Sequence, residues 1–171
     1  GLFTQGMITH QTFRDGAGNW FEPGEVMRGE DGAWMTVQGR QPVVAGRVEK
    51  MSKSKRNTID PTTIIDGYGS DTARLFMLSD SPPDRDVIWS EEGVQGASRF
   101  VQRVWRLVNV AVPHLPKSGT PIGDSEEALA LRRASQRTLA EISTSIERLR
   151  FNTAIAKLYS FVGTLADVVN G

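Results

Sequence analysis

The amino-acid sequence predicts an α+β protein that is mostly α-helical, and three observations support this fold class. Turn-forming residues crowd residues 1–49, which hold nine of the seventeen glycines and predict β-hairpins. Helix caps and apolar side chains at helical spacing begin near residue 60 and continue toward the C-terminal end. A short basic loop at residues 47–56 separates the two parts, so the β-rich part precedes the loop and the helices follow it.

The composition excludes several kinds of site. The 171 residues include 20 basic and 20 acidic side chains, so the net charge favours neither a nucleic-acid partner nor a membrane surface. The absence of cysteine excludes disulfides and thiolate metal sites, and two histidines far apart in sequence predict no zinc site. The sequence contains no run of about twenty apolar residues that could span a bilayer. We therefore expect a cytoplasmic protein that binds no metal through its own side chains.

The first region, residues 1–48, is predicted to be β-rich and to consist of hairpins or a meander. Its turns are predicted at Asp15-Gly16, Pro23-Gly24 and Asp31-Gly32. The short apolar or aromatic stretches between them are Met7-Ile8, Trp20-Phe21, residues 34–37 and Val43-Val44. These stretches bury little area by themselves, so we expect the region to pack on something else. Trp20 and Trp34 could cover apolar surface of a larger protein, or could equally form a small local cluster.

Two short helices are predicted directly after the basic loop. Asp60-Pro61 is typical of an N-cap followed by proline at the first helical position, and this helix should stop at residues 67–69. Ser70 is the predicted cap of a second helix, which ends before Pro82-Pro83. Residues 87–89 are apolar and predict a brief extended link.

Residues 91–171 predict three amphipathic helices joined by short loops, which indicates an antiparallel bundle. The first helix starts at Ser90 and ends at Pro113. Its apolar stripe consists of Val94, Ala97, Val101, Val104, Trp105 and Val108. The second helix opens at the capping-box sequence 124–127. Its predicted inward-facing residues are Leu139, Ile142, Ile146 and Leu149. The third helix is predicted to begin with Asn152 as its N-cap.

Residues 50–54 read KMSKS and are called the signature loop below. Between residues 47 and 56 the sequence holds several basic side chains and a single acid, Glu49. The basic side chains are Arg47, Lys50, Lys53, Lys55 and Arg56. A neutral protein that concentrates cations in one loop is predicted to present them to an anion. Lysines three residues apart can bring two ammonium groups to phosphate oxygens, and the serines beside them add hydroxyl and backbone donors.

The signature loop and the residues after it resemble the KMSKS block of class Ia aminoacyl-tRNA synthetases. The resemblance is carried by residues 50–57, 59–61, Ile64-Ile65, Tyr68-Gly69, Asp71 and Arg74-Leu75. It implies that ATP is bound by Lys50, Met51, Ser52, Lys53 and Ser54. Lys53 is then the principal catalytic contact to pyrophosphate, and Lys50 is the secondary one. Arg56 departs from the family pattern, in which glycine or asparagine is common at this position.

The flanking residues resemble the bacterial leucyl-tRNA synthetases within this class. The resemblance is carried by residues 76–78, 81–83, 86–90, 93–94, 96–97, 99–100 and 103–106. It implies a compact leucine-specific insertion at residues 1–48, the signature loop with an α-β-α stem-contact fold at residues 49–90, and part of a helical anticodon-binding domain at residues 91–171. It also implies leucine, ATP with Mg²⁺ and tRNA(Leu) as ligands of the parent enzyme, with no obligate protein partner.

Three arginines of the first bundle helix, Arg99, Arg103 and Arg106, lie opposite its apolar stripe. They could contact tRNA phosphates, and a solvated helix face is an equally supported interpretation. For Trp89 and Trp105, packing in the core is predicted rather than stacking on bases.

Enzymes of this class also need a HIGH-type ATP motif, which neither His10 nor His114 provides. Because that motif is missing and the first residue is glycine, we expect a piece of a larger leucine–tRNA ligase that is inactive by itself. Two alternatives stay open. The parent could be another class Ia synthetase, for isoleucine, valine or methionine, or the chain could be a non-catalytic tRNA-binding module that retains the loop.

Overall fold

The computed structural model describes residues 4–120, 123 and 125–170. Within these residues the strands are β1 (Ile8–Arg14), β2 (Trp20–Phe21), β3 (Val26–Arg28), β4 (Trp34–Thr36), β5 (Val44–Lys50) and β6 (Val87–Ile88). The α-helices are α1 (Pro61–Tyr68), α2 (Ser70–Ser79), α3 (Glu91–Ala111), α4 (Glu126–Glu147) and α5 (Phe151–Asn170). This content confirms the predicted α+β fold class with a majority of helix.

The chain divides into two compact units. The β unit holds the residues up to Gly69 together with Asp84–Glu91, and it therefore contains β1 to β6, the signature loop and α1. The helical unit holds Ser70–Pro83 and the residues from Glu92 onward, which include α2, α4, α5 and nearly all of α3. The division into domains at residues 48 and 90 concerns a longer protein and stays a prediction.

Strand β1 is the centre of the β unit. One edge pairs with β5 in antiparallel register, which places Thr9 opposite Lys50. A β-bulge interrupts this pairing at Thr12, whose hydroxyl donates to the Arg47 carbonyl at 3.1 Å. The other edge pairs with β2 and, in parallel, with β6. After β6, the amide of the half-buried Trp89 donates to the Thr9 carbonyl at 2.9 Å, so the link predicted there is a short strand.

The β unit has an apolar cluster of its own. Its buried members and the residues packed against them are Phe13, Val26, Val43, Phe21, Trp34 and Ala45. The rings of Phe13 and Trp34 lie 4.7 Å apart and are tilted, an arrangement that aromatic pairs favour. For Trp34, the structure therefore shows the small local cluster, which was one of the two arrangements that the sequence left open. The ring of Trp20 is half-buried and has the Arg14 guanidinium 5.9 Å from its centre.

The two short helices lie where the sequence predicts them. The Asp60 carboxylate accepts a hydrogen bond from the Thr62 amide at 2.8 Å and caps α1. Gly69 ends α1 with a φ of 84°, a left-handed conformation that glycine adopts without strain. Helix α2 then begins at Ser70 and ends at Ser79, before the two prolines, so Ser70 is its first residue rather than the predicted cap. Both predicted helices are thus confirmed.

Helix α5 is the element against which the helical unit packs. It forms a hairpin with α4 across residues 148–150, and α2 packs against it as well. Its buried residues recur at helical spacing and are Ala154, Ile155, Val162 and Ala166. Helix α3 contacts α5 through Phe100, whose ring stacks on Tyr159 with the centroids 3.8 Å apart. Partial burial there raises the pKa of the Tyr159 phenol above its ordinary value.

The predicted core face of α4 is wrong at three of its four residues and holds at Ile142, which is half-buried. Leu139 is 60% exposed, Ile146 is also exposed, and Leu149 lies beyond the helix end. The better-covered residues of α4 include Ala134, Ser135, Thr138, Ile142 and Ser145. Most of these are small, and small side chains let two packed helices approach closely. Ser125 caps α4 by accepting from the Ala128 amide at 3.2 Å, and the predicted capping residue Asp124 lies outside the described residues.

Two further predictions about the helices are wrong. Trp105, predicted to lie in the core, is 71% exposed. The buried residues of α3 are confined to its first half and are Val94, Ala97, Ser98 and Phe100. The apolar stripe therefore continues past the part of the helix that its neighbours cover. Helix α5 begins at Phe151, and the Ala154 amide donates to the Arg150 carbonyl, so Asn152 lies inside the first turn and is not the N-cap.

A close backbone contact predicts that Gly6 tolerates no side chain. A methyl group at this position would overlap the Arg85 carbonyl group, and backbone cannot yield as a flexible side chain can. We expect Gly6→Ala to lower the free energy of unfolding by about 1–3 kcal/mol, measured by urea denaturation. Gly16→Ala is the matched control, because nothing lies within 4 Å of its added methyl group. Equal unfolding free energies for the two variants would contradict this prediction.

Candidate phosphate-binding loop

The signature loop leaves the end of β5 as a tight turn. Lys50 is the last residue of the strand, and the Met51 amide donates to the Ile8 carbonyl at 3.3 Å. Ser52 then caps one turn of 3₁₀-helix at Lys53–Lys55, because its hydroxyl accepts from the last amide of that turn at 3.3 Å. The first lysine of the loop therefore stands on a strand end and the second starts a turn, and both side chains are exposed.

The remaining loop residues divide into anchored and exposed groups. Met51 and Ser52 are half-buried, whereas Ser54 is exposed. The two serine hydroxyls lie 3.3 Å apart, so they form a polar pair beside the lysine that starts the turn. In the five consecutive residues predicted to bind ATP, the serine hydroxyls thus lie next to the lysine side chains.

Asn57 holds this turn in place and was not assigned a role by sequence reasoning. Its side chain is completely buried, with 0% exposure. Its oxygen accepts from the Ser52 amide at 2.8 Å, while its nitrogen donates to the carbonyls of His10, Glu49 and Lys50 at 3.2–3.4 Å. One amide therefore joins β1, the end of β5 and the start of the turn. The only signal in the sequence was its place directly after the basic run.

Arg56 ends the turn in a left-handed conformation with a φ of 53°. Its guanidinium lies 3.1 Å from a Glu22 carboxylate oxygen, 3.0 Å from a Glu25 oxygen and 3.4 Å from the Trp20 carbonyl. The hydrogen bond with Glu22, together with the charge of Glu25, raises the pKa of Arg56 above its ordinary value. Arg56, the residue that departs from the family pattern, thus binds residues of the region before the loop.

The basic side chains around the loop fall into two classes. Lys55 forms an ion pair with Glu49, and Arg56 pairs with two glutamates. Within the part of the chain that the structure describes, Lys50 and Lys53 have no carboxylate within 4.0 Å of their ammonium groups. An ammonium group without a protein carboxylate is free to form charge-assisted hydrogen bonds to an incoming anion. The arrangement can therefore bind phosphate oxygens through two lysines and adjacent hydroxyls.

The arginines of α3 form a second basic feature. Arg99, Arg103 and Arg106 are exposed, and across the described ranges none of them pairs with a carboxylate. Two of them border a shallow groove of about 200 Å³, whose other walls are Leu107 and Val110 of α3 and Ala166 of α5. This geometry is compatible with phosphate contacts and with a solvated face, so the two interpretations from the sequence both stand.

The described residues show neither a metal-binding cluster nor a membrane-spanning helix. No group of three or more histidine, cysteine, aspartate or glutamate side chains in that part of the chain is arranged to hold a metal ion. None of the helices described there has the length and apolar character needed to cross a membrane. The candidate site therefore consists of the signature loop and the residues that support it.

The loop lies in a region that matches a known family. Residues 30–90 match tRNA synthetases class I (I, L, M and V). This match covers the second half of the β-rich region, the signature loop, α1 and α2. The match agrees with the class that the KMSKS sequence predicted.

Similarity over the whole chain indicates which amino acid the related enzymes of this class use. Over 99% of its length the chain is 60% identical to a leucine–tRNA ligase of Afipia carboxidovorans and 58% identical to one of Rhodopseudomonas palustris strain BisB18. In both cases it spans about a fifth of the relative's length, 20%. The chain is thus a homologue of the bacterial leucyl-tRNA synthetases over one part of their sequence.

A solved structure shows a similar fold. It is a leucyl-tRNA synthetase of Agrobacterium radiobacter K84, determined in a ternary complex with tRNA and LeuAMS. The TM-score is 0.66 at 24% identity, and the alignment covers 96% of this chain and 17% of that one. At this identity the likeness concerns the fold alone.

Because Asn57 satisfies four backbone groups at once, its removal should destabilise the β unit. We expect Asn57→Ala to lower the free energy of unfolding by at least about 2 kcal/mol, since each stranded polar group costs about 1–3 kcal/mol. Thermal or urea denaturation measures this. Asn109→Ala, on the exposed side of α3, is the control and should stay within about 0.5 kcal/mol of the unchanged protein. A similar small effect for both variants would show that the buried amide does not hold the turn.

Proposed function

We propose that this chain is part of a leucine–tRNA ligase, a cytoplasmic enzyme that activates leucine with ATP and transfers it to tRNA(Leu). The observation that carries the proposal is the similarity to bacterial leucine–tRNA ligases over 99% of the chain, at 60% identity. The loop geometry supports it independently, because two exposed lysines that have no carboxylate partner among the described residues suit a polyphosphate ligand. The rest of the ATP site and the leucine pocket would come from the remainder of a full-length enzyme.

The chemistry requires positive charge at this loop. The leucine carboxylate attacks the α-phosphorus of ATP, the bond from that phosphorus to the bridging oxygen breaks, and pyrophosphate leaves with the electron pair. Leucyl-adenylate is the other product. A tRNA hydroxyl then attacks its acyl carbon and loses its proton, and AMP leaves as the acyl–phosphate bond breaks. Negative charge develops on the departing pyrophosphate, so ammonium groups there stabilise the transition state more than the bound substrate. In this proposal Lys53 is the principal contact, Lys50 the secondary one, and Mg²⁺ arrives with ATP.

The helical unit supplies the proposed tRNA contacts. Arg99, Arg103 and Arg106 are spaced along one side of α3 and lack carboxylate partners among the described residues. Arginine side chains in such a row can each contact a phosphate of an RNA backbone. We therefore propose that this row contributes to binding tRNA(Leu) in the full-length enzyme.

Replacement of Lys53 tests the catalytic proposal. In the full-length protein, Lys53→Ala should lower the kcat of leucine-dependent pyrophosphate exchange by about 10²–10³-fold, a loss typical of one transition-state charge contact. Leucine binding, measured by calorimetry, should change little. Lys117→Ala removes an exposed charge from the loop between α3 and α4 and is the matched control. Unchanged exchange by the Lys53 variant would remove this side chain from the mechanism.

The arginine row is tested by the salt dependence of tRNA binding. Changing Arg99, Arg103 and Arg106 together to alanine should reduce the slope of log K against log salt by about two, since each phosphate contact contributes about 0.7–0.9. Filter binding or fluorescence anisotropy at several salt concentrations measures it. A matched triple variant of the exposed Arg132, Arg133 and Arg137 on α4 controls for the loss of charge. Equal slopes for the two triple variants would favour the solvated-face interpretation.

A further inference from the structure

We propose that Arg56 is a positioning residue that ties the signature loop to the β-rich region before it, so that the loop is held ready for ATP. This inference rests on the proposed function for its effect on activity, but the tie itself is a property of the β unit. It concerns residues outside the five that the KMSKS sequence singles out. The partner region is the segment from Trp20 to Glu25.

The backbone and the side chain of Arg56 contact different parts of the chain. Its amide donates to the Lys53 carbonyl at 3.2 Å and closes the turn that carries the principal lysine. Its guanidinium reaches back more than thirty residues in sequence, to Glu22 and Glu25. One residue thus connects the backbone of the proposed pyrophosphate contact with a separate segment of the chain. A displacement of that segment would be transmitted to the turn.

The receiving segment has a turn and a hydrogen bond of its own, besides its contact with the arginine. Residues Pro23–Glu25 form a 3₁₀ turn in which one oxygen of Glu25 accepts from the Glu22 amide at 2.8 Å. The other oxygen of Glu25 lies 3.0 Å from the Arg56 guanidinium. The carboxylate is therefore fixed by the turn and used by the arginine at the same time. A receptor held in this way loses less conformational freedom on pairing than two mobile side chains do.

The backbone conformation of Arg56 supports the same conclusion. A φ of 53° is unfavourable for a residue with a β-carbon, whereas glycine and asparagine adopt it easily. Arginine at this position accepts that strain while its guanidinium makes two ion pairs and a bond to a backbone carbonyl. Substitution by asparagine therefore separates the two properties, because it keeps the left-handed turn and removes the tie.

The structure offers a matched control for this substitution. Arg40 also has a left-handed backbone, with a φ of 49°, and its side chain is exposed. It pairs with no carboxylate in the residues that the structure describes. Arg40→Asn therefore makes the same chemical change in the same kind of backbone without removing an ion pair.

The experiment uses the full-length protein with Arg56→Asn, Glu25→Gln and the double variant, beside Arg40→Asn. Leucine-dependent pyrophosphate exchange should show a KM for ATP raised about 3–10-fold by Arg56→Asn, because fewer molecules hold the competent loop, with kcat and the KM for leucine nearly unchanged. Glu25→Gln should act in the same direction. The double variant should be no worse than Arg56→Asn alone, since both changes break one interaction. Arg40→Asn should behave as the unchanged protein.

A second measurement does not depend on activity. Hydrogen–deuterium exchange of the amides in residues 52–57 should be faster in Arg56→Asn and unchanged in Arg40→Asn. Unchanged ATP kinetics and unchanged exchange in Arg56→Asn would overturn the proposal, and so would strictly additive effects in the double variant. If the unchanged full-length protein shows no leucine-dependent activity but its loop amides respond to Arg56→Asn, the proposed function fails and the tie stands.

Discussion

The buried amide of Asn57 is the constraint on which the site depends. A polar side chain with no exposure is tolerable only when its hydrogen-bonding groups are satisfied, and here each of them serves a different part of the backbone. The pairing of β1 with β5 and the start of the turn at Ser52 therefore depend on one another. A shift of either strand by one residue would leave the Asn57 amide without its hydrogen-bond partners. It would also turn the side chains of that strand to the opposite face. The loop is short and polar, yet its origin is fixed by the interior of the β unit.

Whether a basic side chain near the loop forms an ion pair depends on its position rather than on its residue type. Several basic side chains lie close together in sequence, and two of them form ion pairs with Glu49, Glu22 and Glu25. Exposed ion pairs contribute little stability individually, so their effect lies mainly in orientation. The pairs hold Lys55 and Arg56 back toward the protein. Among the described residues, the ammonium groups of Lys50 and Lys53 have no carboxylate partner, and neither does the guanidinium of Arg47 on β5.

The features predicted correctly from the sequence are those that depend on residues adjacent in the chain. The cap at Asp60, the break at Gly69 and the KMSKS sequence were all readable, because each depends on a few adjacent residues. The long strands β1 and β5 were mostly missed, since their bulged, polar sequences lack strict alternation. Leu139 and Trp105 were misplaced because an apolar stripe indicates a face but not how much of it a neighbour covers. The partners of Asn57 and Arg56 lie up to 47 residues away, and no local pattern identifies such contacts.

The parallel pairing of β6 with β1 has a consequence for how the protein is made. The Met7 amide bonds to Asp86 and the Thr9 hydroxyl to the Val87 carbonyl, across 79 and 78 residues. During synthesis on the ribosome, the first strand must therefore emerge and wait several seconds for its partner at about 5–20 residues per second. The signature loop is translated within that interval, after its own partners in β1, β5 and the segment from Trp20 to Glu25. High contact order of this kind slows folding, and a nascent chain with an unpaired strand edge is a natural substrate for chaperones.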